Sequence, residues 1–92
     1  MKKYILNNQV RLKHDEASGN YFVFLIETGD HFNLNKTGFT ILKILNEERS
    51  LNEIVSLLSE EIIVDEKTVI TDIIDFLELS EKNGIIACIK SN

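Results

Sequence analysis

The chain has 92 residues, of which 43% are hydrophobic and 27% are charged, and its formal net charge is −5 at neutral pH. This length suits one domain with one core, and the acidic balance argues against nonspecific binding to nucleic acid or anionic lipid. No apolar run approaches the roughly 20 residues of a membrane span or the about 7–15 of a secretory signal. Because the single cysteine also excludes an internal disulfide, we expect a cytoplasmic protein without membrane attachment.

The first third of the sequence predicts three antiparallel strands. Residues Gln9–His14 alternate between polar and apolar, which is typical of a half-buried strand. The run YFVFLIE, Tyr21–Glu27, is apolar on both faces and rich in aromatic and β-branched residues, as expected of a central strand. Asp30–Leu34 alternates again and then stops at a helix cap, so it is predicted to be the last strand of a meander.

After the strands the hydrophobic period becomes helical. Asn35 is the predicted N-cap of a first helix, and Ser50 with Glu53 forms an S-x-x-E capping box for a second helix. Asp65 is the predicted N-cap of a third and longer helix, and Gly84 lies where a left-handed residue is expected after its last turn.

Strands followed by helices predict an α+β fold, namely a three-stranded antiparallel sheet followed by three helices in a winged helix-turn-helix-like arrangement. The expected organisation is one domain over residues 1–92, made of an N-terminal extension (1–8), the sheet (9–34), the helices (35–83) and an apolar tail (85–92) that is itself a possible strand.

The third helix has an unusually wide apolar stripe. On a helical wheel it covers about 220°, whereas a helix that packs on one core needs about 100°. Either the helix is mostly buried between the sheet and its partner helices, or one flank covers the core while the other lines a groove. The stripe consists of Val69, Ile70, Ile73, Ile74, Phe76, Leu77 and Leu79.

A groove beside an open strand edge would suit an extended peptide. If Asp30–Leu34 ends the sheet, its outer N–H and C=O groups have no partner in the chain. A peptide could then add as a further strand, with alternate side chains entering the apolar groove. The residues alone therefore predict a peptide-binding site but not the peptide.

The order of these segments resembles the PqqD-like family of small winged-helix-like domains. The resemblance runs from Val10 to Ile86 through VRLKHDEASGNYFVFL, GDHFNLNKTGFTILKIL, RSLNEIVSLL and DIIDFLELSEKNGII. Its most characteristic pieces are LNKTG, at 34–38, and Asp72 followed twelve residues later by Gly84. One departure is Ser80, where the family often has an apolar residue.

The resemblance implies a recognition element for ribosomally made, modified peptides. Such domains bind the leader of a precursor peptide as a fourth strand beside the third helix and deliver it to a modifying enzyme. The family pattern assigns Val69, Ile73, Phe76 and Leu77 to the core, which leaves Ile70 and Ile74 as groove candidates and Leu79 as their competitor. The predicted peptide-binding residues are His31, Phe32, Asn33, Leu34, Lys67, Ile70, Thr71, Asp72 and Ile74.

Catalytic and cofactor motifs are missing from the sequence. Cys88 lies in an apolar run, the HDE segment at 14–16 has no second cluster at metal-ligand spacing, and the four glycines form no phosphate loop. We therefore predict a non-enzymatic adaptor without metal or cofactor. Its expected partners are a precursor leader and a separate radical SAM enzyme or leader peptidase, and it is expected to be a monomer or weak dimer.

Two other functions fit the same pattern of elements. A winged-helix regulator would have this topology, but the third helix has six acidic and two basic residues between Asp65 and Lys82, which would repel phosphates. A small homo-oligomerising module would bury the same edge and stripe against a second copy. The acidic residues of this helix are either a solvated face or a surface for a basic partner.

Overall fold

The computed structural model describes residues 2–62 and 66–90, and it describes side chains throughout these ranges except at 66–68. Within these ranges, six strands and three helices follow one another. They are β1 (Lys2–Leu6), β2 (Val10–Asp15), β3 (Asn20–Leu25), β4 (His31–Leu34), α1 (Lys36–Ile44), β5 (Arg49–Ser50), α2 (Leu51–Glu61), α3 (Glu66–Lys82) and β6 (Ile86–Lys90).

The predicted three-stranded sheet is confirmed, and β3 lies in its centre with the order β2-β3-β4. Both pairings are antiparallel, and Val23 of β3 lies between Leu12 of β2 and Phe32 of β4. Val23 is fully buried, and its two neighbours pack against the core. This row of residues therefore marks the face of the sheet that the helices cover.

A second sheet was not predicted from the sequence. The segment expected to be an N-terminal extension contains β1, which pairs with β6 along five residues and with the short β5 on its other side. The Leu6 amide donates to the Leu45 carbonyl oxygen at 2.8 Å, and the Asn7 side-chain amide donates to the Gly84 carbonyl oxygen at 3.0 Å. The extension and the apolar tail are thus integral strands of the fold.

The predicted N-terminal caps of the first two helices are confirmed by their hydrogen bonds. Asn35 Oδ1 accepts the Gly38 amide at 2.7 Å, as an N-cap does. Ser50 and Glu53 make both hydrogen bonds of the capping box. Gly84 has a φ of +77°, the left-handed conformation expected after α3. The predicted cap at Asp65 lies outside the described residues.

The capping carboxyl of α2 should make stability depend on pH. The Ser50 amide and hydroxyl hold the pKa of Glu53 below its ordinary value of 4.5. Because the folded pKa is depressed, this stabilisation is present above about pH 4.5 and is lost as pH falls through the folded pKa. We expect the free energy of unfolding, measured with urea from pH 7 to pH 3, to fall less steeply in Glu53→Gln. Equal slopes for the two proteins would contradict this assignment.

The core lies between the covered face of the first sheet and the three helices. The first sheet and all three helices contribute its fully buried side chains. These are Val23, Ile41, Leu42, Leu45, Ile54, Leu58, Ile73 and Leu77. Ser80 is also buried, so the polar residue at the family's apolar position faces the core. The core-facing line of α3 therefore runs through Ile73, Leu77 and Ser80, with one flank on either side.

Two leucines of α3 should differ sharply in their contribution to stability. Leu77 is 1% exposed and Leu79 is 58% exposed. We expect Leu77→Ala to lower the free energy of unfolding by about 2–5 kcal/mol, because it leaves a cavity in the core. We expect Leu79→Ala to change it by less than about 0.5 kcal/mol. Urea denaturation followed by circular dichroism measures both, and similar losses would contradict the described position of α3.

Candidate peptide-binding site

The outer edge of β4 is open in the described part of the chain. β4 is the last strand in the order β2-β3-β4, and no other described strand pairs with its outer side. At the turn that joins β3 to β4, the Leu25 amide donates to the Asp30 carbonyl oxygen at 2.9 Å. This pair continues the register in which β3 and β4 are paired. Leu25 and Asp30 are therefore a hydrogen-bonded pair, and this pair sets the direction of each backbone group along β4.

Hydrogen-bonded and non-hydrogen-bonded pairs alternate along an antiparallel ladder. Counting from Asp30, the backbone groups of Phe32 and Leu34 point toward β3, whereas those of His31 and Asn33 point away from it. The Ile26 amide, which donates to the Gln9 carbonyl oxygen, fits the same alternation on the β2 side. The open edge of β4 thus offers two N–H and two C=O groups, all from His31 and Asn33.

The side chains of β4 alternate in the same way. Phe32 and Leu34 are half-buried and pack against the core, whereas His31 and Asn33 are exposed. Each residue that offers its backbone at the edge therefore keeps its side chain on the solvent face. Substitution of these exposed side chains leaves the backbone groups of the edge in place.

A cleft of about 430 Å³ opens where β4 ends. It lies between the start of α1, the end of α2 and the first half of α3, and it is mainly apolar. The lining residues are Asn35, Thr37, Gly38, Ile41, Leu58, Ile62, Val69, Asp72, Ile73 and Phe76. Because Asn35 directly follows Leu34, the cleft is continuous with the chain of β4.

One flank of α3 forms the wall of this cleft. Asp72 and Phe76 line it, and Leu79 continues the same line because residues four and seven positions apart lie on one side of a helix. A methyl group at Gly38 would lie only 3.1 Å from Phe76 Cε1, so glycine permits the close approach of α1 and α3. The Asp72–Phe76–Leu79 line is the groove flank of α3.

The segment that runs from α3 to Gly84 passes near both ends of β4. Its first half meets Asn35, at the end of β4, while a methyl group at Gly84 would lie 3.7 Å from Leu25, near the beginning of β4. Asp72 to Leu79 spans about 10 Å of helix, and β4 spans about 13 Å. We call this cleft, together with the adjoining outer edge of β4, the β4–α3 groove.

The structure separates the residues that the sequence analysis grouped on α3. Asp72 lines the cleft, but Ile70 and Ile74 do not, and they lie about 160° around the helix from Asp72. Ile70 is 40% exposed and Ile74 is 37% exposed, so neither belongs to the core. Thr71 is exposed outside the cleft lining, and the side chain of Lys67 lies outside the described residues.

Some lining residues had been assigned only to the core. Val69, Ile73 and Phe76 were placed there because the family pattern is apolar at these positions, yet each contributes to the cleft wall. Asn35 and Gly38 also line the cleft, and both lie within the LNKTG segment. That segment was the available signal, because it joins the edge strand to the cleft.

Metal-ligating side chains do not cluster in the described part of the chain. The described residues contain no group of three or more His, Cys, Asp or Glu side chains placed to hold a metal ion. Within the described helices, none has the length and apolar character that crossing a membrane would require. Along 69–82 of α3 the charged residues are Asp72, Asp75, Glu78 and Glu81 against Lys82 alone, which leaves this stretch strongly acidic.

Three solved structures share this fold. TbiB1 in complex with the TbiA(beta) leader peptide is 27% identical, with a TM-score of 0.72 over 89% of this chain and 93% of that one. A lasso peptide synthetase B1 complexed with the leader peptide is 19% identical, with a TM-score of 0.72 over 91% and 96%. The PqqD truncation of Methylobacterium extorquens PqqCD is a stand-alone recognition element for ribosomally synthesised and post-translationally modified peptides. It is 20% identical, with a TM-score of 0.74 over 92% of this chain and 88% of that one.

Sequence comparison identifies the family directly. No curated protein sequence matches the chain. The family model for coenzyme PQQ synthesis protein D matches residues 19–86, from the turn before β3 to the first residue of β6. That range contains the open edge of β4, the cleft and the groove flank of α3. The chain is therefore a member of the PqqD family.

Proposed function

We propose that this protein is a non-enzymatic adaptor that binds the leader of a ribosomally synthesised precursor peptide by strand addition. The observation that carries the proposal is the open edge of β4, which continues at Asn35 into an apolar cleft against α3. The likeness to TbiB1, whose structure holds a leader peptide, supports it. Family membership supports it as well, because the matched range covers the whole site.

The backbone of His31 and Asn33 would provide the first part of the affinity. Four hydrogen bonds at about 0.5–1.5 kcal/mol each give about 2–6 kcal/mol. A micromolar complex needs about 8 kcal/mol after the cost of association. Backbone pairing alone is therefore too weak, and leader side chains must also bind in the groove.

The register of β4 predicts which leader residues enter the groove. Residues directly opposite one another in a sheet share a face. Leader residues opposite Phe32 and Leu34 would thus point toward Phe76 and the groove flank, and those opposite His31 and Asn33 would point toward the solvent face. We expect two apolar leader residues separated by one position. Asp72, at the end of the groove, favours a basic or hydrogen-bonding leader residue nearby.

The remaining parts of the proposal concern delivery. The adaptor would present the bound leader to a separate radical SAM enzyme or leader peptidase in the cytoplasm, without a cofactor of its own. Lys67, Ile70, Thr71 and Ile74 are the sequence-based alternative set of leader contacts. Of the two flanks of α3, we propose that the groove flank binds the leader, because only this flank reaches the cleft.

Hydrogen exchange with a synthetic leader tests the proposal at single amides. The leader should come from the precursor gene that neighbours the gene for this protein. In the free protein the amides of Phe32 and Leu34 should exchange slowly, and those of His31 and Asn33 should exchange fast. Leader binding should slow exchange at His31 and Asn33, and a scrambled leader should not. Tight binding without this protection would overturn strand addition at β4.

A further inference from the structure

The first sheet has a second apolar surface, on the face that the helices do not cover. Phe22 and Phe24 of β3 alternate with Val23 and therefore point to the opposite face, and Ile26 follows them just beyond the strand. Both phenylalanines are half-buried outside the core cluster, and Ile26 is 48% exposed. We call this surface, made by Phe22, Phe24 and Ile26 with their cross-strand neighbours, the outer face.

Basic side chains flank the aromatic line of the outer face. In the register of the sheet, Lys13 lies opposite Phe22, while Arg11 and His31 lie on either side of Phe24. A shallow cleft of about 490 Å³ on this face is lined by Lys13, Asp15, Phe22, Phe24, Gly29 and His31. In a chain with a net charge of −5, this combination of aromatic and basic groups is a local exception.

Arg11 and Lys13 are the cationic side chains of the outer face, and they differ in their hydrogen-bond partners. The Arg11 guanidinium donates to the carbonyl oxygens of Asn8 and Val10, which fixes it at the margin of the sheet. The Asp15 carboxylate accepts from Ser18 and Ala17 within its own turn. Among the described side chains, no carboxylate lies within 4 Å of the Lys13 ammonium. The exposed Lys13 side chain is accessible to a carboxylate of another molecule, and its charge also acts on the Asp15 carboxylate in the same cleft.

A partner that matches this surface carries apolar side chains bordered by Asp or Glu. Apolar groups would cover Phe22, Phe24 and Ile26, and carboxylates would pair with Lys13 and Arg11 at the rim. A basic partner would meet like charges here and would be disfavoured. The acidic side of α3 has the reverse preference, so the molecule presents two surfaces of opposite charge.

We propose that the outer face docks the modifying enzyme, through an acidic and apolar patch on the enzyme surface. This inference rests on the proposed leader binding. A leader strand added to β4 would extend the same sheet, and its residues opposite His31 and Asn33 would lie beside the outer face. The enzyme would then contact the adaptor and the leader together, so it would bind the loaded adaptor more tightly than the free one.

Two substitutions test the outer face without altering the leader site. Lys13→Glu reverses its free cation, and Phe24→Thr removes an aromatic ring while keeping strand propensity. The control is Lys90→Glu, the same charge change on the second sheet. Affinity for the purified enzyme encoded beside the precursor, measured with and without leader, should fall about tenfold for both test variants. It should stay within about twofold for the control, and leader affinity should be unchanged in all three.

The outcomes separate this inference from the proposed function. Unchanged enzyme affinity in both test variants would overturn the docking surface, whatever the leader does. Sedimentation that shows a wild-type dimer, lost in Phe24→Thr, would assign the outer face to self-association and would also overturn it. Failure of the wild-type protein to bind leader, with enzyme binding still sensitive to Lys13→Glu, would overturn the leader proposal and keep the outer face.

Discussion

Asn33→Pro is expected to weaken leader binding by at least about tenfold and to leave the protein folded. The Asn33 amide points away from β3, so proline removes a donor from the open edge without breaking a bond between β3 and β4. One lost bond is worth about 0.5–1.5 kcal/mol, and the ring also blocks close approach of the incoming strand. Isothermal titration with the synthetic leader measures the loss, and circular dichroism reports the fold.

Two neighbouring variants make the result specific to the backbone. Asn33→Ala should bind leader within about twofold of the wild type, because the Asn33 side chain faces solvent. Phe32→Pro removes an amide that points toward β3, so it should destabilise the sheet itself. Normal leader binding by Asn33→Pro would contradict strand addition at this edge. A tenfold loss in Asn33→Ala would instead show that side chains carry recognition there.

The second large effect is expected at the groove flank of α3. Leu79→Asp should weaken leader binding about tenfold, because it places a charge where an apolar leader side chain would pack. Ile74→Asp should change leader affinity by less than about twofold, since Ile74 lies on the far side of α3 from the cleft. Both residues are exposed, so both variants should keep the fold and compare the two flanks directly.

The same pair decides between the structure-based and sequence-based choices of contact residues. The sequence analysis selected Ile70 and Ile74 and treated Leu79 as their competitor. A strong loss in Ile74→Asp with normal binding by Leu79→Asp would support the sequence-based choice and contradict the groove flank. Unfolding of Ile74→Asp would contradict its described exposure. Titration and circular dichroism on matched samples separate these results.

Local signals predicted most of the first sheet and the helix ends. The cap at Asn35, the capping box at Ser50 and the left-handed turn at Gly84 each depend on a few neighbouring residues, and each is present. Such signals act over one turn of chain, so a single sequence reveals them. The alternation in β4 likewise predicted which of its side chains face the core.

Non-local pairing explains what the sequence did not predict. β1 and β6 pair across almost the whole chain, Lys2 lying opposite Lys90, and no local periodicity reports such a partner. The wide stripe of α3 indicated more apolar residues than the core needs. Only the position of the cleft shows which flank of the helix lines it. Phe22 and Phe24 were read as part of a central strand that is apolar on both faces, and only the structure shows that the helices cover one of these faces.

The pairing of β1 with β6 brings the two ends of the described chain together. Lys2 and Lys90 lie opposite each other on adjacent strands, so the first and last described residues meet at one point of the domain. That point belongs to a different sheet from β4. Adjacent ends make a domain suitable for insertion into a surface loop of a larger protein. Insertion at this place would leave the outer edge of β4 uncovered, because that edge belongs to the other sheet.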